Sequence, residues 1–181
     1  REALHVIAPD RERSAVGHAI TMHKPLRVDE ISFLPDSELK GWSVNGTPSD
    51  CVKLAVEAIL PEPPDLVISG INRGSNLGTD LFYSGTVSAA VEGLIMNIPS
   101  LAVSLTGRGA EIDFDRAADF ICRIIPLLFS NHFFQRFPTT LFNINVPVNT
   151  DLIKGIRITT LGKRRYSNTF EKRVDPRGMT Y

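Results

Sequence analysis

Short runs of β-branched and other apolar residues alternate along this chain with longer segments whose apolar positions recur every three or four residues. The short runs predict buried strands that end in loops, as the first does at Pro9-Asp10. The predicted strands are His5–Ala8, Trp42–Val44, Asp65–Ile68, Ser100–Ser104, Leu141–Val146 and Ile156–Thr160.

Three of the longer segments predict helices. Thr47, Pro48 and Asp50 form a helix start, because Thr47 can cap, proline suits the first helical position, and the acid follows three residues after the cap. That helix ends before the proline-rich run that begins at Pro61. The other two helices are predicted from about Thr86 to Met96 and from about Asp113 to Phe129.

Strands that alternate with helices indicate a parallel sheet covered on both faces. We therefore predict the α/β class, with a Rossmann-like, mostly parallel sheet flanked by helices and an extended C-terminal arm. The predicted division places a metal- and phosphate-binding domain at 1–150 and the arm at 151–181.

Composition excludes several classes of protein. The chain has 181 residues, 43% of them hydrophobic, and equal numbers of basic and acidic residues, 20 of each. No apolar run reaches the roughly 18 residues that a membrane-spanning helix needs. Cys51 and Cys122 are far apart and lie in helical patterns, which favours small core residues in a cytoplasmic protein over a disulfide framework.

The charge is unevenly distributed. From Lys154 to Tyr181 there are eight basic and two acidic residues. A basic segment beside an acidic body fits nucleic acid, an anionic substrate, an acidic neighbouring subunit, or only a solvated arm.

Polar loops follow the predicted strands at the edge where such sheets bind ligands. Ser69–Gly78 holds three glycines and two asparagines, so its backbone can approach a ligand closely and its carboxamides offer oxygen ligands and N–H donors. Ser84-Gly85-Thr86 then opens a helix, whose N-terminus suits a phosphate. The alternative is a structural loop before a capped helix. Walker, dinucleotide and nucleophile-elbow motifs are absent.

The loop after the first strand, Asp10–Ser14, is strongly charged. Ser14 offers a hydroxyl to a hard cation, and Arg11 and Arg13 offer charge to anions or to a neighbouring subunit. The alternative is an exposed, salt-bridged turn. The four histidines form no zinc-binding spacing. These patterns indicate a phosphate-compatible edge but do not name a reaction.

Six ordered segments of the chain resemble the survival protein SurE family of metal-dependent phosphatases that act on nucleoside monophosphates. They are Ala8–His18, Gly46–Val52, Ser69–Asn76, Tyr83–Ser88, Asn143–Pro147 and Asp175–Gly178. The resemblance implies that Ser14 and Asn72 bind a divalent metal ion, Mg²⁺ or Mn²⁺. It implies that Asn76, Ser84, Gly85 and Thr86 bind the phosphate, with Asn76 and Ser84 as the catalytic residues.

The activity that the resemblance implies is hydrolysis of nucleoside 5′- and 3′-monophosphates to nucleoside and phosphate. The alternatives are a broader acid or polyphosphate phosphatase and a non-catalytic nucleotide-binding module. The resemblance also implies a homodimer or homotetramer formed through extended arms, to which we assign the basic arm. A nucleic-acid partner is the least favoured interpretation.

One departure from the family pattern affects the metal site. The family carries Asp-Asp-Gly at the end of its first strand, and no Asp-Asp pair occurs in these 181 residues. The resemblance implies that this strand precedes Arg1 and that the family continues past Tyr181. Because hard cations need carboxylate charge, we expect the chain without that pair to be inactive.

Overall fold

The computed structural model describes residues 3–33, 39–107, 113–148, 154–163 and 171–180. The strands are β1 (His5–Pro9), β2 (Val28–Ser32), β3 (Lys40–Val44), β4 (Val67–Arg73), β5 (Ser100–Thr106) and β6 (Phe142–Pro147). The α-helices are α1 (Pro48–Leu54), α2 (Gly85–Ile95), α3 (Phe114–Ser130) and α4 (Phe133–Arg136). A π-helical turn, Ala55–Ile59, continues α1, and a 3₁₀ helix, Gly78–Tyr83, precedes α2.

Within the described residues the strands form two three-stranded sheets. The first has the order β1-β3-β2, in which β1 runs parallel and β2 antiparallel to β3. The second has the order β4-β5-β6 and is entirely parallel. The predicted α/β class, with mostly parallel strands flanked by helices, is confirmed.

The central strand β5 is covered on both faces. Leu101, Val103 and Leu105 point to one side, where α3 contributes Ile121 and Ala117 to the same clusters. Ala102 points to the other side and packs with residues of α2. The strand is buried along nearly its whole length, with large apolar residues on the α3 side and the small residues Ser100, Ala102 and Ser104 on the α2 side.

Three sequence predictions about local structure are corrected. The predicted strand Ile156–Thr160 is not a strand, and its residues are exposed. The strand β2 was not predicted, because three of its five residues are polar, all five are exposed, and it is held by antiparallel pairing to β3. The strand β4 runs on to Arg73, into residues predicted as loop.

The two cysteines differ. Cys51 is buried in α1, and burial raises the pKa of its thiol to about 12, so its prediction as a core residue is confirmed. Cys122 is exposed, so the same prediction for it is wrong. The periodic apolar residues of α3 predict that Cys122 lies in a helix, but Cys122 lies on the exposed face of that helix.

The described parts of the C-terminal segment are exposed. Residues 154–163 contain no helix or strand, and in 171–180 Val174 pairs with Thr180 in a single bridge. The basic residues Arg164 and Arg165 lie outside the described residues. The division at 150 and the role of the arm stay predictions. In the part of the chain that the structure describes, no helix has the length and apolarity to cross a bilayer.

A buried carboxylate fixes the start of α1. Asp50 is 2% exposed and accepts hydrogen bonds from the Thr21 N–H (2.9 Å), the Thr21 hydroxyl (2.6 Å) and the Thr47 N–H (2.8 Å). The Thr47 hydroxyl accepts in return from the Asp50 N–H, which completes the predicted capping box. Burial alone would raise the pKa of Asp50, but these hydrogen bonds hold the pKa below its ordinary value.

We expect Asp50→Asn to lower the free energy of unfolding at pH 7 by about 1–3 kcal/mol, because each carboxylate oxygen accepts from a backbone N–H and the amide nitrogen that replaces one of them would face that donor. A lowered pKa stabilises the fold above the unfolded-state pKa of about 3.9, and that stabilisation is lost as the pH falls through the folded-state value. The difference between wild type and variant should therefore narrow from pH 7 to pH 3. Urea titrations at both pH values measure it, and an equal difference at both would contradict the prediction.

Candidate active site

A cavity of about 460 Å³ lies at the carboxyl ends of β1 and β4, beside the N-terminus of α2. Its wall includes residues from the loop after β1, from the end of β4 and its following segment, and from the start of α2. All six residues that the sequence singled out line this cavity: Ser14, Asn72, Asn76, Ser84, Gly85 and Thr86. Their roles are proposals that we take up below.

The loop that carries Ser14 is tied to β3 and to the turn that follows it. The Asp10 N–H donates to the Val44 carbonyl (2.7 Å), and Arg13 Nη2 donates to the Asn45 carbonyl (2.9 Å) and to Asp10 Oδ1 (3.3 Å). Arg13 therefore anchors the loop as well as lining the cavity. The Ser14 hydroxyl donates to Glu12 Oε1 (2.8 Å), so its lone pairs remain for a cation.

Asn72 lies near the end of β4, where the pairing with β5 shifts register after Ser69. Its Nδ2 donates to the Gly74 carbonyl (2.8 Å), which leaves its carbonyl oxygen as a ligand. Gly70 lies in the register shift with φ +136°, and a Cβ there would collide with the Val103 carbonyl oxygen. Glycine thus permits β4 to approach β5 where Asn72 enters the site.

The N-terminus of α2 forms the opposite wall. Ser84 caps the helix, its hydroxyl accepting from the Val87 N–H (3.1 Å). A Cβ on Gly85 would lie only 3.1 Å from Pro48 Cγ and 3.3 Å from Val16 Cγ2, so glycine lets α1 and the Ser14 loop close on the helix. Because the first N–H groups of a helix have no intrahelical partner and carry its positive dipole end, this wall attracts an anion.

Charged residues surround these donors. Arg11, Arg13 and Arg73 line the cavity, together with Glu12 and Asp80. Sequence reasoning weighed Arg11 and Arg13 but missed Arg73, Glu12, Asp80 and Tyr83. Glu12 could have been found from its place two residues before Ser14. Arg73 could have been found from its place next to Asn72. The signal for Tyr83 was its place next to Ser84, whereas Asp80 had none, since the 3₁₀ helix brings it to the wall.

The oxygen atoms on the other side of the cavity are of the kind that bind a hard divalent cation. Ser14 offers a hydroxyl oxygen, Asn72 an amide oxygen, and the Glu12 carboxylate is hydrogen-bonded to Ser14, the oxygen set that Mg²⁺ and Mn²⁺ prefer. Nowhere in the described ranges do three His, Cys, Asp or Glu side chains come together to hold a metal ion. The described oxygen ligands therefore match Mg²⁺ or Mn²⁺ in type but carry little negative charge.

We expect Gly70→Ala to lower the free energy of unfolding by about 1–3 kcal/mol more than Gly74→Ala. Both glycines have positive φ, +136° and +108°, but a Cβ at Gly74 meets no atom within 4 Å. The pair thus separates the collision with β5 from the backbone strain that both variants share. Urea unfolding measures the two losses, and equal losses would contradict the close approach of β4 to β5.

A family model and closely similar known proteins point to the same family. A family model described as survival protein SurE matches residues 1–168. The chain is 55% identical over 181 residues to the 5′-nucleotidase SurE of Desulforudis audaxviator, covering 99% of this chain and 68% of the relative. It is 57% identical over 179 residues to that of Pelotomaculum thermopropionicum, covering 98% and 66%.

A solved structure agrees with these relatives. The crystal structure of the SurE protein from Aquifex aeolicus matches with a TM-score of 0.71 at 39% identity, over 97% of this chain and 68% of that chain. The chain spans about two thirds of the length of the proteins that it matches.

Proposed function

The chain belongs to the survival protein SurE family, and we propose that its cavity hydrolyses the phosphate monoester of nucleoside 5′-monophosphates as part of a 5′-nucleotidase. The observation that carries this proposal is the meeting of cation-type oxygens and an anion-binding helix N-terminus in one cavity. The relatives named 5′-nucleotidase SurE support the substrate class. A volume of about 460 Å³ is in the range of small-molecule sites.

In this proposal the start of α2 binds the phosphate. The N–H groups of Gly85 and Thr86 and the carboxamide of Asn76 donate to the phosphoryl oxygens, and Ser84 caps the helix and lines the same wall. Donors that are already fixed in place stabilise the charge that develops in the transition state without reorganisation. Asn76 and Ser84 are the residues to which we assign the catalytic role.

We further propose that a divalent cation, Mg²⁺ or Mn²⁺, binds at Ser14 and Asn72. When bound, such a cation supplies Lewis-acid polarisation of the phosphoryl group. Glu12 orients the Ser14 hydroxyl through their 2.8 Å hydrogen bond and adds negative charge. One carboxylate offsets little of the dehydration of a divalent cation, so we expect Ser14, Asn72 and Glu12 alone to bind the cation weakly.

We also make proposals about the substrate range, the location in the cell and the oligomeric state. We propose action on 3′-monophosphates as well, a cytoplasmic location, and a homodimer or homotetramer formed through residues 151–181. The described arm supports an intermolecular contact, because Ile156, Ile158 and Leu161 are exposed and Ile158 is 93% exposed. A broader acid or polyphosphate phosphatase is an alternative, which comparing phosphate release from AMP with release from p-nitrophenyl phosphate and from polyphosphate decides.

The test is phosphate release from AMP by the full-length protein with Mg²⁺ or Mn²⁺ and then with EDTA. We expect EDTA to abolish release, and Ser14→Ala and Asn72→Ala each to lower kcat/KM at least about tenfold, the scale of a lost metal contact. Ser130→Ala and Asn131→Ala are matched controls, because both side chains are exposed at the end of α3. Both controls should keep wild-type activity.

Two results would contradict the account in different places. Release that survives EDTA would exclude the cation while leaving a phosphatase. No release with either metal, from a folded protein that still binds AMP, would indicate the alternative of a non-catalytic nucleotide-binding module.

A further inference from the structure

Asn76 is the candidate phosphate ligand with the least support from regular structure. It lies between the end of β4 at Arg73 and the 3₁₀ helix that begins at Gly78, yet it is only 6% exposed. The Gly74 N–H still donates to the Leu105 carbonyl of β5 (3.0 Å), but Asn76 itself belongs to no strand or helix, so its position depends on the side chains around it.

Two asparagines of β6 hold the backbone of Asn76. The Asn76 N–H donates to Asn145 Oδ1 (3.0 Å), and Asn145 Nδ2 donates back to the Asn76 carbonyl (3.2 Å). Asn143 Nδ2 donates to the same carbonyl (2.9 Å). The carboxamide of Asn145 thus pairs with the backbone of Asn76 as a neighbouring strand would, and both lone pairs of the carbonyl are used.

A serine of β5 holds the side chain. Asn76 Nδ2 donates to Ser104 Oγ (2.7 Å), and Ser104 is fully buried. A carboxamide nitrogen carries two N–H groups, so this bond fixes the direction of the side chain and its second N–H is available to an anion in the cavity.

The sheet register places these three residues together. Ser104 is aligned with Asn145 and Ala102 with Asn143 in the parallel pairing of β5 and β6. Because side chains alternate along a strand, Asn143, Asn145 and Ser104 share the face that α2 covers. The intervening Ile144 points to the apolar side with Leu101 and Val103.

We propose that Asn143, Asn145 and Ser104 are positioning residues that set Asn76 for phosphate binding. The inference rests on the proposed function and assigns a role to the Asn143-Ile144-Asn145 motif. A strand selected only for packing would carry apolar residues on this buried face, because burying a carboxamide costs free energy that only hydrogen bonds offset. Here the hydrogen bonds converge on one residue of the cavity wall.

A double-mutant cycle tests this role. We expect Asn145→Ala in the full-length protein to lower kcat/KM for AMP about tenfold or more, the scale of misplacing a ligand of the reacting group. In the Asn76→Ala background the same change should lower it less than about twofold, since there is no longer a side chain to position. An equal loss in both backgrounds, or no loss with Asn76 present, would overturn the proposal.

A matched control separates positioning from stability. Ile144→Val lies on the same strand but faces the apolar side, so we expect it to lower Tm and leave kcat/KM unchanged. If Asn145→Ala does not fold, the same cycle is run with Asn143→Ala, which removes one donor to the Asn76 carbonyl and leaves both Asn145 bonds. The same two outcomes, coupling or equal losses, then decide.

The outcomes also separate this inference from the proposed function. A wild-type protein that releases no phosphate would contradict the nucleotidase. In that case the Kd for inorganic phosphate is measured for the wild type, the two single variants and the double variant. Coupling between Asn145 and Asn76 in these Kd values supports the positioning role, and additive effects overturn it.

Discussion

The parallel register between β5 and β6 is the constraint on which the anion side of the site depends. It aligns Ser104 with Asn145 on the face covered by α2, while Leu101 and Val103 fill the opposite face under α3. Because the side-chain period of a strand is two residues, a slip of β6 by one residue would turn Asn145 toward α3 and turn Ile144 and Val146 toward the face under α2. The same burial that stabilises the sheet therefore also holds the platform beneath Asn76.

On the cation side, Asn72 is held by the pairing of β4 with β5, whereas Ser14 is held by polar contacts. The Ser14 loop is fastened by Arg13 to the Asn45 carbonyl, and Asp50 fastens the segment that follows the loop to the start of α1. Gly85 lets this assembly approach α2. The Ser14 loop and the segment that carries Asn76 are thus both attached to regular elements by polar groups, so changes in those groups should alter the geometry of the site as well as stability.

Features set by residues close together in the sequence could be predicted, and features set by residues far apart could not. Helix starts were predicted because a cap such as Thr47 with Asp50 is contained in four residues. The run Ile156–Thr160 has strand propensity, but within the described residues it pairs with no strand, whereas the exposed β2 pairs with β3. The loops with oxygen ligands were found from composition, but their roles came from the family resemblance. The contacts of Asn76 with β5 and β6 join residues 28 to 69 positions apart, beyond the reach of any local pattern.

The central claim is that the phosphate binds between Asn76 and the N-terminus of α2. A crystal structure of the full-length protein with orthovanadate, which mimics the phosphoryl group in transfer, tests it most directly. The account predicts vanadate oxygens within hydrogen-bond distance of Asn76 Nδ2 and of the backbone nitrogens of Gly85 and Thr86. Vanadate bound elsewhere in an active protein, with these three donors unengaged, would contradict it.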